Sequence, residues 1–225
     1  MCHNAEPFDR PPSGLKYGRA VRLILIRHGQ TQSNVDHLLD TGHPGAPLTD
    51  AGHQQAATLV DRLASEPIGA IYTSDLTRAR QTAEPLAASK GLGVTEHAGL
   101  REIFAGEHDM SQDWVPYVSV LDTWHTDPEN KLLDGENWPE FQERFEAAIA
   151  EIAETGAGVA ALVSHGAALR VWIPFVCANT TAGDARHWRL DNADYVVIEG
   201  DRGGWNLVSW ADEDMSALHE APELA

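Results

Sequence analysis

Two shortages frame this sequence. Of 225 residues only two are cysteine, and Lys plus Arg number 16 against 34 Asp plus Glu, a formal charge of −18. Cys2 and Cys177 are too few for a disulfide framework or a four-ligand zinc site. Cys177 stands in an apolar run, where it reads as a small buried hydrophobe. A reduced, cytoplasmic setting is therefore expected. The scarcity of cations argues against nucleic acid and anionic membrane surfaces as partners, because their phosphates repel such a surface. Long apolar stretches are missing as well. None approaches the roughly 20 residues of a membrane span, and the opening MCHNAEPFDRPPSG lacks the apolar segment of a signal peptide.

What is present is a chain long enough to bury one substantial core without staples. Residues 1–19 read as a flexible leader, broken by Pro11, Pro12 and Gly14. Residues 20–225 read as a single α/β domain. Residues 20–26 form a short β-branched run expected to be a buried strand. A helix over 49–64 follows, with Thr49 as its cap and Ala56, Leu59, Val60 and Leu63 on one face. Further strands are expected at 69–73, 94–96 and 159–163. Helices are expected at 76–89, 138–154 and 167–176, and Pro85 should end or kink the first of these. Residues 195–198 and 205–210 suggest a hairpin turned by Asp201, Gly203 and Gly204. Residues 104–140 change character, with Trp114, Trp124 and Trp138, many acids and little period. They read as an inserted, partly helical cap, and the chain after about residue 211 as a loose tail. The pattern predicts a three-layer α/β/α sandwich with a mostly parallel central sheet.

Ligands of such sheets gather beyond the carboxyl ends of the strands. Two predicted strands end in histidine followed by glycine, Arg27-His28-Gly29 and His165-Gly166. At a third strand end, Arg78 falls in the first turn of a helix, where a cation opposes the helix dipole unless an anion is bound. Arg80 reads as a solvated surface residue. Glu102, in Leu100-Arg101-Glu102-Ile103, would not be selected alone among 34 acids.

Taken together, LILIRHGQTQSN (23–34), PLTDAGHQQA (47–56), IYTSDLTRARQTAE (71–84), GLREI (99–103) and LVSHGAALR (162–170) resemble the histidine phosphatase superfamily, also called the phosphoglycerate mutase-like family. The motifs keep that family's order and cover about two thirds of the chain, residues 21–170. The overall similarity is to bacterial members. The resemblance implies that His28 is the nucleophile that becomes phosphohistidine. It implies that Arg27 and Arg78 bind the phosphoryl oxygens, that His165 is a second histidine touching the phosphoryl group, and that Glu102 protonates the leaving group. Asn34, with Thr31 and Gly166, is implied in substrate binding. The chemistry suits the residue types. A phosphomonoester carries about −1.5 to −2 charge, and arginine forks match its oxygens. His28 must be neutral at its attacking nitrogen, so a hydrogen bond at the other nitrogen should fix its tautomer. A nearby phosphate favours the protonated form that Glu102 needs as an acid. No metal or other cofactor is expected, because arginines and histidines supply the positive charge.

The sequence departs from the family pattern at two places. Met110 stands where a second glycine usually follows Gly106, and His108 where an aromatic is common; His108 reads as a surface residue. Asp134-Gly135-Glu136-Asn137 resembles the family's turn before a helix and is expected near the pocket mouth. Between Phe104 and Glu140 the only Lys or Arg is Lys131, among eight acids. A mutase must hold a second anionic group, so this balance favours a phosphatase acting on a small phosphorylated metabolite whose leaving group is neutral, apolar or cationic. Trp114, Tyr117 and Trp124 are candidates to stack on it, although packing of the cap against the core is the better explanation for any one of them. The alternatives are a phosphoglycerate mutase-type phosphotransferase and a non-catalytic phospho-ligand-binding module. The complete set Arg27, His28, Arg78, Glu102 and His165 argues against the latter. Nothing in the sequence decides between a monomer and a homodimer.

Overall fold

The computed structural model describes residues 21–181, 188–201 and 204–215; the leader over 1–19 and Gly203 of the hairpin turn lie outside them. The strands are β1 (Val21–Arg27), β2 (Ala70–Thr73), β3 (Val94–Glu96), β4 (Val159–Ser164), β5 (Tyr195–Asp201), β6 (Gly204–Trp210) and β7 (Glu213–Asp214). The helices are α1 (Gln32–Val35), α2 (Asp50–Arg62), α3 (Thr77–Lys90), α4 (Val115–Thr123), α5 (Trp138–Glu154) and α6 (Gly166–Val176).

One seven-stranded sheet runs β3-β2-β4-β1-β5-β6-β7. The β3-β2-β4-β1 half is parallel, and β5, β6 and β7 continue it antiparallel. Strand alternation divides the core into two faces. Leu23 and Leu25 of β1, with Ala160 and Leu162 of β4, face Phe141, Phe145, Ile149, Leu169 and Trp172 of α5 and α6. Ile24 and Ile26, with Ala161 and Val163, face Leu59, Ala79, Ala83 and Leu86 of α2 and α3. The result is the expected three-layer α/β/α arrangement. β1 and β4 are apolar at nearly every position because both their faces are covered.

Thr49 caps α2 by accepting the Gly52 N–H at 3.0 Å. Pro85 does not end α3. That helix continues to Lys90 and stops at Gly91, whose φ of 66° suits a residue without Cβ. Ala83, Leu86 and Ala87 are buried around the proline, and their packing outweighs the lost helical bond. The loose tail expected after about residue 211 does not begin there. β7 pairs with β6 at Ser209–Asp214 and Trp210–Glu213, and Met215 is buried in the core. The sequence reading also passed over α1, a polar four-residue turn with no apolar period.

Within 104–140, a 3₁₀ turn at Gly106–His108 precedes α4. Trp124, expected as a possible stacking platform, is fully buried. Its ring lies 5.9 Å from Trp138 and 6.1 Å from Phe141, so it joins this segment to α5. No helix among the described residues is long and apolar enough to cross a membrane.

Phe145 packs between Phe141 (5.4 Å) and Trp172 (5.1 Å) with no exposure. Phe145→Ala should destabilise the protein by about 3–5 kcal/mol, measured as a lower urea midpoint at unchanged m-value. A loss under about 1 kcal/mol would mean that this face of α5 is not core.

Candidate active site

Because β2, β4 and β1 are adjacent and parallel, their carboxyl ends meet at one edge of the sheet. That edge brings together Arg27 and His28 after β1, Ser74 after β2, and His165 and Gly166 after β4. Arg78 enters from the first turn of α3. Above them opens a cavity of about 270 Å³, close to the lower end of the roughly 300–1,000 Å³ usual for small-molecule pockets. Arg27, His28, Thr31, Asn34, Arg78, Glu102 and Gly166 all line it.

His28 is 4% exposed and fixed at both nitrogens. Nδ1 lies 2.7 Å from the Gly29 carbonyl oxygen, and Nε2 lies 3.0 Å from Arg78 Nε. A carbonyl only accepts and a guanidinium only donates, so the proton sits on Nδ1 and Nε2 carries a lone pair. Burial, then the charges of Arg78 and Arg27, hold the imidazole well below its ordinary value of 6.5. The neutral tautomer required of a nucleophile is therefore built in.

Arg78 is 2% exposed. Its Nη2 donates to the Asp40 carbonyl at 2.7 Å, and Nη1 lies 3.5 Å from Asp40 Oδ1. Arg27 donates through Nη1 to the Leu190 carbonyl at 2.7 Å. Yet Arg27 Nε and Arg78 Nη1 are buried without a hydrogen-bond partner. Unpaired buried donors are costly, and two of them on adjacent cationic forks are suited to an anion's oxygens. Glycine makes room for both arginines. A Cβ at Gly166 would come 3.2 Å from Arg27 Nε, and one at Gly45 would come 2.3 Å from Arg78 Nη1.

Thr31 and Asn34 hold each other in a reciprocal cap. Asn34 N–H donates to Thr31 Oγ1 at 3.2 Å, and Thr31 N–H donates to Asn34 Oδ1 at 3.1 Å. Asn192, which sequence reasoning missed, donates to the same Oδ1 at 3.2 Å and to the His28 carbonyl at 3.0 Å. The Asn34 oxygen is thus occupied, leaving its Nδ2 as the end able to donate into the cavity.

Glu102 sits against the N-terminus of α6. Oε1 accepts N–H bonds from Ile103 (2.9 Å) and Ala168 (2.7 Å), and Oε2 accepts one from Ala167 (3.0 Å). Arg144 holds its backbone from behind, donating to the carbonyls of Gly99, Arg101 and Glu102 and pairing with Glu136. Glu136 of the 134–137 turn, expected near the pocket mouth, therefore acts as a buttress and does not line the cavity. Arg144 also escaped the sequence reading, since one arginine on a helix that otherwise buries apolar residues carries no distinguishing pattern.

His165 differs from the other site residues. It is fully buried with its ring centroid 5.2 Å from that of His28, and it is not part of the cavity wall. Nε2 is 2.9 Å from Ser74 Oγ, and Nδ1 has no partner. Burial and the Arg78 charge lower its proton affinity as well.

The acids of the 104–140 segment mostly face elsewhere. Asp109 Oδ1 accepts from Thr41 N, Thr41 Oγ1 and Gly42 N at 2.8, 2.7 and 3.1 Å. Asp113 caps α4, Glu129 binds Asn137, and Glu136 binds Arg144. Asp122 alone among the segment's acids lines the cavity. The acidic balance read from the sequence is thus largely remote from the cavity, whose apolar wall includes Trp114, Tyr117, Val118, Leu121 and Phe175. His108 is partly buried and stands off the cavity. Met110 takes a φ of 64°, which explains why a glycine is usual there.

The model of the histidine phosphatase superfamily (branch 1) matches residues 23–213. A curated relative from Klebsiella pneumoniae, named "Probable phosphoglycerate mutase GpmB", is 31% identical over 214 residues, covering 91% of this chain and 97% of its own. The α-ribazole phosphatase from Shigella flexneri superposes with a TM-score of 0.70 at 28% identity, over 85% of this chain and 96% of that one. A mycobacterial glucosyl-3-phosphoglycerate phosphatase has a TM-score of 0.72 at 24% identity, over 87% and 100% of the respective chains, a likeness of fold.

Both buried histidines stay neutral in the folded protein at a pH where the unfolded chain protonates them. Their folded values lie below the ordinary 6.5, so stability present above that pH is lost as pH falls below it. NMR at pH 6.0 should show His28 neutral with its proton on Nδ1. A doubly protonated His28 ring at that pH would contradict the assigned tautomer.

Proposed function

The chain belongs to the histidine phosphatase superfamily, and from that membership and its pocket we propose that it is a phosphomonoester hydrolase working through phosphohistidine at His28. The observation that carries this reading is a pair of buried guanidinium nitrogens without a hydrogen bond, Arg27 Nε and Arg78 Nη1 (the latter 3.5 Å from Asp40 Oδ1), beside a histidine whose lone pair is on Nε2. A phosphoryl group between the two forks satisfies both, and its equatorial oxygens gain most charge stabilisation in the transition state. As Arg78 Nε–H turns from His28 Nε2 to a phosphoryl oxygen, the freed lone pair forms the Nε2–P bond while the P–O bond to the alcohol breaks. Glu102 gives its proton to the departing oxygen. In the second half-reaction Glu102 takes a proton from water, whose oxygen attacks phosphorus, and inorganic phosphate leaves with His28 restored. Oε1 accepts two backbone bonds and Oε2 one, so Oε2 is the atom with a lone pair free for this traffic. His165, held by Ser74, packs behind His28 with its ring centroid 5.2 Å away, and its Nδ1 has no hydrogen-bond partner.

A second reading, mutase-type transfer, is favoured by the printed names of the curated relatives. The pocket wall favours hydrolysis. Trp114 and Val118, 39% and 45% exposed, leave the mouth accessible to water. The α-ribazole phosphatase, at 28% identity, is a relative named for hydrolysis.

Hydrolysis of a phosphomonoester panel should persist in EDTA and fall to background in His28→Ala. Wild-type turnover by that variant would sink the phosphohistidine mechanism, and interconversion of 2- and 3-phosphoglycerate faster than hydrolysis would select the mutase. Glu102→Gln should lose about 10²–10⁴-fold in kcat/KM on alkyl phosphates and much less on 4-nitrophenyl phosphate, whose leaving group needs no proton; kcat/KM reports the leaving-group step and not the water step that all substrates share. Equal losses on both would remove Glu102 from the acid role.

A further inference from the structure

One cation in the cavity wall plays no part in the mechanism above. Arg170 lies on α6, four residues beyond Gly166, a rise of about 6 Å along the helix axis. Gly166, Ala167, Arg170, Val171 and Pro174 all line the cavity, so one face of α6 forms a continuous wall running outward from the phosphoryl end. Side chains on a helix tilt toward its N-terminus, which here is the end carrying Gly166 and the Glu102 carboxylate. Arg170 is exposed and makes no hydrogen bond or ion pair among the described residues. Its charge reaches Arg27 and works against that guanidinium. The two cations thus share one cavity, and an anion near Arg170 would ease their repulsion.

The rest of this region is apolar for a specific reason. Trp114 donates its Nε1–H to the His37 carbonyl at 2.8 Å, and Tyr117 donates its hydroxyl to the Ile103 carbonyl at 2.9 Å. Both aromatic polar tips are engaged by backbone, so the rings meet a ligand as apolar surface. Leu121, Val171 and Phe175 extend that surface. Asp122 and His125 complete the lining on the α4 side.

We propose that Arg170 is a specificity-determining residue, and that the substrate is a phosphomonoester whose alcohol portion is a flat apolar group bearing one carboxylate, placed a ring's width from the phosphate. The proposal rests on the phosphatase reading for its chemistry but concerns a separate contact. The apolar surface takes the ring, Arg27 and Arg78 take the phosphoryl group, and Arg170 takes the carboxylate through a charge-assisted hydrogen bond. It also revises the expectation from composition that a second negative charge is disfavoured. The cation that meets it comes from the core helix α6, outside the acidic insertion.

The test compares 4-carboxyphenyl phosphate with 4-methylphenyl phosphate, which match in shape and differ in charge. Wild-type protein should prefer the carboxylate in kcat/KM by about tenfold or more. Arg170→Gln should abolish that preference, and Arg170→Lys should restore part of it. Circular dichroism and the urea midpoint establish that each variant is folded. No wild-type preference, or a preference that survives Arg170→Gln, overturns the proposal. So does an equal loss on both substrates, which would assign Arg170 to the phosphoryl group. If wild-type protein hydrolyses neither compound nor any member of the phosphomonoester panel, the phosphatase reading fails on its own. Calorimetric titration of the same two compounds into wild-type and Arg170→Gln protein then decides the contact independently: a carboxylate preference lost in the variant supports it, and equal affinities in wild type overturn it.

Discussion

Arg78 has to be buried to reach His28, and burying a guanidinium is expensive unless its donors are met. Much of the surrounding chain is arranged around that requirement. Asp40 offers both its carbonyl and its carboxylate, and that carboxylate is itself held by Ser33 Oγ and the Ala46 N–H at 2.8 and 2.9 Å. Gly45 keeps its Cβ position clear of the guanidinium. The loop carrying Asp40 is tied down by Asp109 from the 104–140 segment and by backbone bonds from Met110 to Leu39 and from Leu39 to Ser111. One donor remains unmet, and it is the one a phosphoryl oxygen can satisfy. The insertion and the catalytic floor are therefore coupled through a loop that neither motif contains.

The acidic surface and the cationic pit have different jobs. A charge of −18 spread over the chain is solvated and screened by salt. Arg27 and Arg78 act at short range where water is excluded, so their field prevails inside the cavity. Burial strengthens them, and it also keeps His28 and His165 uncharged.

The fold was readable because strands covered on both faces, such as β1 and β4, are apolar at nearly every position, and helices such as α5 keep a clear stripe. Arg27, His28, Arg78, Glu102 and His165 were singled out because they fall in recognisable motifs, and all but His165 line one cavity. Other parts left no local trace. Asn192, Asp40 and Arg144 act through partners distant in sequence, and an isolated polar residue in a loop or helix looks the same whether or not it finds one. Pro85 was misjudged because its local penalty is smaller than the packing around it. The acids of the insertion were misjudged because composition records how many charges there are but not which way they point. Trp124 illustrates the same limit: an aromatic in an irregular segment can face a ligand or the core, and only the three-dimensional contacts decide.

The order of strands has a consequence for synthesis. β1 is made first, yet both its neighbours come late: Arg22 pairs with Val159 on one side and Glu199 on the other. As the chain leaves the ribosome, LILI has no partner strand on either edge until most of the protein exists. During that interval it is an apolar, β-branched segment with both edges open, the kind that templates aggregation. Arg22 and Arg27 flank it and supply charge at its ends. The centrality that places His28 in the middle of the sheet thus leaves this segment unpaired through much of synthesis, and a truncated chain lacking β5 would leave one edge of β1 permanently bare.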